Sequence, residues 1–219
     1  MKTRIALIHA VTVAVEPVRD AFRQLWPEAE CANILDDSLS LDRERDGVLT
    51  DAMKHRIRAL AEYGAATGAD GVLFTCSAFG EAIDAAAAQS PIPVLKPNEA
   101  MFEAALGMGR RIGMLATFAP SVGSMEDEFR EMAAAGGKRA TIETYCVPGA
   151  MAALKAGDGA EHNRLIAEAA PRFSDCDVVL LAHFSTARAA PAVTAALKRP
   201  VLTSPGSAVA KLKEVIARD

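Results

Sequence analysis

Short runs of consecutive apolar residues recur along the chain, separated by stretches in which apolar positions return at helical spacing. The runs are RIALIHA (4–10), CANILD (31–36), GVLFTC (71–76), IPVL (92–95), RIGMLAT (111–117), TIETYCV (141–147), VVLLAH (178–183) and PVLT (200–203). The spacers 16–26, 50–67, 124–135 and 160–173 are rich in Ala, Glu and Arg and predict helices. Continuously apolar strands alternating with helices predict an α/β fold whose parallel sheets are covered on both faces.

The pattern occurs twice. A shift of 107 positions carries Arg4-Ile5 onto Arg111-Ile112 and PVRDAFRQL (17–25) onto SMEDEFREM (124–132). The same shift carries Asp51 and His55 onto Asp158 and His162, Asp70 onto Asp177, and Pro93-Val94-Leu95 onto Pro200-Val201-Leu202, with no gap. Two tandem copies of one α/β unit follow. The expected division is residues 1–97, residues 98–203, and a final helix over 204–219 packing back on the first half.

Composition narrows the function. The chain has 219 residues, 51% hydrophobic and 24% charged, which suits a folded domain pair rather than disorder. The net charge of −4, without a Lys/Arg block, gives no footprint for nucleic acid or an anionic membrane. The amino-terminal apolar run contains His9 and is followed by Glu16 and Arg19 without a cleavage site, so it reads as a strand, not a signal peptide. No run is long enough to span a bilayer. Four cysteines without metal-ligand spacing are expected to be reduced thiols in the cytoplasm.

In parallel α/β sheets ligands bind beyond the carboxyl ends of the strands. That directs attention to His9, Cys76, Lys96, Thr117, His183 and Thr203. Cys76 and His183 are related by the repeat and are expected to approach a cleft between the halves from opposite sides. One proton-transfer group on each face of a bound carbon is what a racemase or epimerase needs. The segment SAFGEAIDAAAA after Cys76 predicts a helix start, whose amides would favour thiolate and hold a carboxylate. GMGRRIG (107–113) enters a strand and is a turn, not a phosphate loop, so no cofactor and no metal are expected. Lys96 is expected as a strand-end charge, Asn98, Glu99, Thr203 and Ser204 as helix-start residues, and His55 and His162 as surface positions. Cys31, Cys146 and Cys176 are expected to be inert.

GADGVLFTCSA, RIGMLATFAPS and VVLLAHFSTARA together resemble the aspartate/glutamate/hydantoin racemase superfamily, which includes arylmalonate decarboxylases and maleate isomerases. The resemblance spans nearly the whole chain and implies two pseudo-symmetric, flavodoxin-like halves. It also implies a cofactor-independent enzyme acting next to the carboxylate of a small amino acid or related acid. It assigns the first acid/base thiol to Cys76 and carboxylate contacts to Ser77, Thr117 and Ser121, with His9 and Ser185 as further substrate contacts. The family's second cysteine is missing, and its place falls on His183. Three readings follow. His183 replaces the second thiol, the enzyme is a one-sided thiol decarboxylase of a substituted malonate, or the protein binds a small acid without turning it over. The decarboxylases keep the second-half cysteine, whereas this chain keeps the first. A homodimer is the default oligomer.

Overall fold

All eight apolar runs form strands in the computed structural model, which describes residues 2–218. In chain order the first elements are β1 (Arg4–His9), α1 (Val15–Leu25), β2 (Glu30–Leu35), α2 (Ser38–Asp46), α3 (Asp51–Ala66), β3 (Gly71–Phe74), α4 (Gly80–Ala87) and β4 (Val94–Leu95). They are followed by α5 (Glu99–Met108), β5 (Arg111–Ala116), α6 (Val122–Ala135), β6 (Thr141–Cys146), α7 (Ala150–Lys155), α8 (Gly159–Ala169), β7 (Val178–Leu181), α9 (Ala190–Ala196), β8 (Val201–Thr203) and α10 (Ser204–Ile216). Short 3-10 turns cover Ser77–Phe79, Ala119–Ser121 and Phe184–Ala189. The chain divides into one unit of residues 1–97 with 208–219 and a second of residues 98–207. Among the described residues no helix is long and apolar enough to cross a membrane.

The first unit holds a parallel sheet of order β2-β1-β3-β4. Ala6, Ile8, Val72 and Phe74 turn to the face covered by Met53, Ile57 and Ala61 of α3 and Ile83 of α4. The intervening Ile5, Leu7 and Leu73 are fully buried as well, as a sheet covered on both faces requires. α10 closes this unit over Gly71, where a Cβ would come within 2.9 Å of Ile216 Cδ1 and 3.0 Å of Leu212 Cδ1.

The second unit repeats the order as β6-β5-β7-β8, again all parallel. Alternate β7 residues serve two cores. Val179 and Leu181 pack with Ile166 and Phe173, while Val178 and Leu180 pack with Phe102, Met114 and Phe129. At Gly113 a Cβ would lie 2.5 Å from Phe173 Cγ. Phe173 is 1% exposed and cannot swing away. Gly113→Ala is therefore expected to lower stability by about 1–3 kcal/mol through overpacking, read as a lower urea midpoint at unchanged slope.

The repeat is carried by the backbone. β1 and β5 start at Arg4 and Arg111, and β3 and β7 at Gly71 and Val178, both pairs 107 apart. The aspartates just ahead of β3 and β7 do the same work. Asp70 Oδ2 accepts the Arg4 amide at 2.7 Å, and Asp177 Oδ2 accepts the Arg110 and Arg111 amides at 2.7 and 2.8 Å. The expectation of a gapless repeat needs correcting. β6 starts at Thr141, 111 positions after Glu30 of β2, because α6 runs three residues longer than α1 and the connection after it one residue longer. The second unit recovers the offset by β7, with the six-residue α7 where the first has the nine-residue α2.

Candidate active site

The order 2-1-3-4 reverses between its two central strands, and their carboxyl ends flank the place where α/β sheets of this kind hold ligands. In the first unit β1 ends at His9 and β3 runs out through Thr75 into Cys76. Cys76 is extended (φ −120°, ψ 123°) and leads into the Ser77–Phe79 turn, which α4 continues. Ser77 opens that turn and is half-buried.

His9 is fully buried beneath this point. Its Nδ1 lies 2.9 Å from Thr75 Oγ1 and its Nε2 3.0 Å from Asn33 Oδ1. Both ring nitrogens are thus engaged, and burial lowers the ring's pKa despite the Asn33 bond. A neutral His9 ties β1 to β2 and to the residue preceding the thiol. In this arrangement it supports the Cys76 turn, and contact with a substrate would require one of these bonds to be exchanged.

Burial raises the pKa of Cys76. The Ala78 amide and the Arg43 charge pull the other way without overcoming it. The helix-start amide expected from the sequence is present, but the free protein holds a thiol at neutral pH, not a thiolate.

Sequence reading missed Arg43, which sits in the charged run SLSLDRERD of α2 and looks like solvated surface. A network holds α2 in place: Arg56 on α3 bonds Asp36 and Asp42, each at 2.6 Å. Arg43 Nε donates to the Ala78 carbonyl at 3.4 Å, on the turn that follows the thiol. Arg43→Ala is expected to raise the Cys76 pKa further, because the variant removes a cation and leaves the burial. Alkylation of Cys76 followed by mass spectrometry against pH would show the inflection moving upward, and an unmoved inflection would mean the charge does not reach the sulfur.

In the second unit β5 leads into Thr117 and β7 into Ala182 and His183. Leu115 pairs with Leu181, so Thr117 and His183 leave neighbouring strands at the same level. Thr117 is 6% exposed, and its Oγ1 is buried without a hydrogen-bond partner. The same holds for Nδ1 of His183. Nε2 of His183 lies 2.7 Å from Ser121 Oγ, and the ring meets Phe118 edge-on at 6.5 Å. Burial drives the His183 pKa down to about 4, against a smaller opposing pull from the Ala182 backbone, so the imidazole is neutral at pH 7. Ser185 is buried in the next turn.

His183 is the one non-glycine with positive φ among the described residues (φ 72°, ψ 144°). This region is nearly reserved for glycine, and holding another residue there costs about 1–3 kcal/mol. Cys76, its counterpart in the repeat, has no such strain.

Thr117, Ser121, Ser185 and His183 are thus gathered in one unit, and Cys76, Ser77 and His9 in the other. Several other expectations change. His162 is fully buried in α8, with Nδ1 on Asn163 Oδ1 at 2.9 Å, while its repeat partner His55 stays exposed. Asp158, four residues before it, caps α8 by accepting the Glu161 amide at 2.9 Å. Asn98 stands at the start of α5 but makes no capping bond, and its Oδ1 accepts from buried Ser204 Oγ at 2.9 Å. Thr203 accepts the Gly206 amide at 3.3 Å at the start of α10. Lys96 is held by Asp84 of α4 at 3.1 Å. All four cysteines are free thiols, and burial raises Cys31 to about 11. Among the described residues no group of three or more His, Cys, Asp or Glu is placed to hold a metal ion.

Two tandem flavodoxin-like units, with polar side chains at the carboxyl ends of their central strands, define a duplicated α/β protein. The chain belongs to the Asp/Glu/hydantoin racemase family, whose model matches residues 14–212. Among solved structures, an aspartate racemase homologue from Pyrococcus horikoshii is similar at TM-score 0.76 and 14% identity, covering 99% of this chain and 100% of its own. A glutamate racemase isoform from Bacillus anthracis follows at 0.71 and 14%, covering 100% and 83%. An allantoin racemase from Klebsiella pneumoniae reaches 0.69 and 20%, covering 98% and 88%. No curated protein sequence matches the chain significantly.

Proposed function

We propose that the protein is a cofactor-independent racemase or epimerase that moves the proton next to the carboxylate of a small amino acid or related acid. Cys76 from one unit and His183 from the other act on opposite faces of the same carbon. The observation that carries this reading is their equivalence: each follows the same central strand in its copy of the sheet, 107 positions apart. Family membership supports the reaction type.

The protonation states support a definite division of labour. Burial pushes the thiol up and the imidazole down, so at neutral pH the resting pair is S–H and bare imidazole. One group is ready to give a proton and the other to take one. His183 removes the carbon-bound proton, leaving an enediolate-like anion held at Thr117, Ser77 and Ser185. The Cys76 S–H then delivers its proton to the far face. The products are the inverted acid, an imidazolium and a thiolate, and proton transfer through solvent restores the resting pair.

This assignment predicts a flat pH profile. kcat/KM is expected to rise as pH climbs past the His183 pKa of about 4 and to fall only where the raised Cys76 thiol ionises. A rate that instead climbs steadily through about pH 8–9 would make the Cys76 thiolate the working base.

The test of function is incubation in D2O with both enantiomers of Asp and Glu, a hydantoin, allantoin and an arylmalonate, read by NMR. Deuterium entering the α-carbon with inversion of at least one acid or hydantoin is the expected result. Loss of CO2 from the malonate without inversion elsewhere would replace the proposal with decarboxylation. Binding without exchange would leave an acid-binding protein.

A further inference from the structure

We infer that Ser121 is a positioning residue that fixes the tautomer of His183, holding the proton on Nε2 so that Nδ1 is the atom that accepts the substrate proton. The inference rests on the isomerase reading for the role of Nδ1, but not for the tautomer itself.

The case follows from counting protons. A serine hydroxyl has one proton to donate and lone pairs to accept with. Ser121 Oγ lies 3.0 Å from the Phe118 carbonyl oxygen, in donating geometry, and 2.7 Å from His183 Nε2. Its remaining neighbour, Met125 Sδ at 3.8 Å, is a weak acceptor. A carbonyl can only accept, so the hydroxyl proton goes to Phe118. The oxygen then has only lone pairs to offer the ring, and Nε2 must carry the hydrogen that bridges the 2.7 Å gap.

A neutral imidazole protonated at Nε2 has its lone pair on Nδ1. In this structure Nδ1 is buried and makes no hydrogen bond. The nearby Ala182 carbonyl, which favours a protonated ring, accepts from the Thr186 hydroxyl and has one lone pair left. The opposite tautomer would set two acceptors, Nε2 and the Phe118 carbonyl, competing for one serine proton, and would leave an Nδ1–H to share the Ala182 carbonyl with Thr186. Phe118, edge-on to the ring, limits rotation about the side chain. Thr117 Oγ1, on the neighbouring strand end, is likewise buried without a hydrogen-bond partner.

The repeat isolates what is special to this unit. The position matching Ser121 is Ala14, and the one matching Thr117 is Ala10, so the first unit has no equivalent relay. A cysteine needs none, because a thiol has no tautomers. Ser121 thus belongs with the histidine, and its hydroxyl is committed to the ring instead of being open to a substrate carboxylate.

The experiment is long-range 1H–15N correlation of histidine-labelled protein near pH 7, with the His183 ring assigned by its disappearance in His183→Ala. Only four histidines contribute signals. Wild type is expected to show the Nε2–H tautomer at His183. Ser121→Ala is expected to give a mixed or Nδ1–H ring and to lower kcat about tenfold, equivalent to about 1.4 kcal/mol, with KM little changed. Ser121→Thr, which keeps the hydroxyl, is expected to restore both the tautomer and most of the turnover.

An Nδ1–H ring in wild type overturns the inference with no variant needed, and so does an unchanged Nε2–H ring in folded Ser121→Ala. If the tautomer shifts as expected but no acid exchanges its proton in wild type, the positioning role stands and the isomerase reading fails.

Discussion

Cys76→Ala is expected to abolish inversion of the substrate, by about 10²–10⁴-fold in kcat/KM, while leaving the thermal midpoint close to that of wild type. The size follows from the role, since a proton that must arrive on one face of the intermediate then has no donor there. The small stability effect follows from the surroundings. Cys76 is half-buried at the margin of the first unit's core, and alanine keeps its Cβ contacts. Cys76→Ser is expected to fail almost as completely, because a hydroxyl gives up its proton far less readily than a thiol. Alanine at Cys31, Cys146 or Cys176 is expected to leave turnover within about twofold, since Cys31 and Cys146 lie on the edge strands β2 and β6 and Cys176 precedes β7, away from the carboxyl ends of the central strands. Equal losses at all four positions would point to general thiol chemistry and contradict the assignment.

At His183, two substitutions separate function from backbone strain. His183→Ala and His183→Gly are both expected to lose inversion by about 10²–10⁴-fold, because neither can accept a proton. Their stabilities are expected to differ in an unusual direction. At an ordinary position alanine is the more stable by about 0.4–1 kcal/mol, because glycine has more freedom to lose on folding. At φ 72° and ψ 144° a Cβ is strained, so glycine is expected to be the more stable by about 1–2 kcal/mol. Chemical denaturation of the two variants side by side measures this. An alanine variant as stable as the glycine variant would show that the chain relaxes out of this conformation once the ring is gone.

How much of this could be read from the sequence differs from element to element. The central strands were legible because they are buried on both faces and therefore apolar throughout, as in VLF of β3 and VVLL of β7. Cys76 and His183 were legible as a pair because β3 and β7 keep the repeat offset without slippage. β2 and β6 are partly exposed edge strands with mixed polarity, so their four-residue slip left no pattern to detect. His162 was misread as a surface residue. Its repeat partner His55 is exposed, but α7 and the turn after His183 pack against α8, and sequence periodicity carries no information about such a lid.

Side-chain partners were the least legible. Asn98 has the composition of a helix cap, yet its oxygen is claimed by Ser204, more than 100 positions away. Arg43 lies in a run of alternating charges that signals solvent, yet in the fold it reaches the Ala78 carbonyl on the turn beside the thiol. His9 was rightly placed at a strand end, but two hydrogen bonds turn it into a support beneath the site. The positive φ of His183 could not be read at all. No residue type announces it, because a glycine would be expected there and a histidine is kept.

The measurement that tests the two-group account most directly is deuterium incorporation during turnover of each enantiomer separately, in wild type, Cys76→Ala and His183→Ala. The account predicts that wild type labels the inverted product from solvent. It predicts that neither variant inverts, that Cys76→Ala still exchanges the proton of the enantiomer presented to His183, and that His183→Ala, left with a resting thiol, exchanges neither near pH 7. Inversion that persists in either single variant would contradict it, since one residue would then be serving both faces of the carbon.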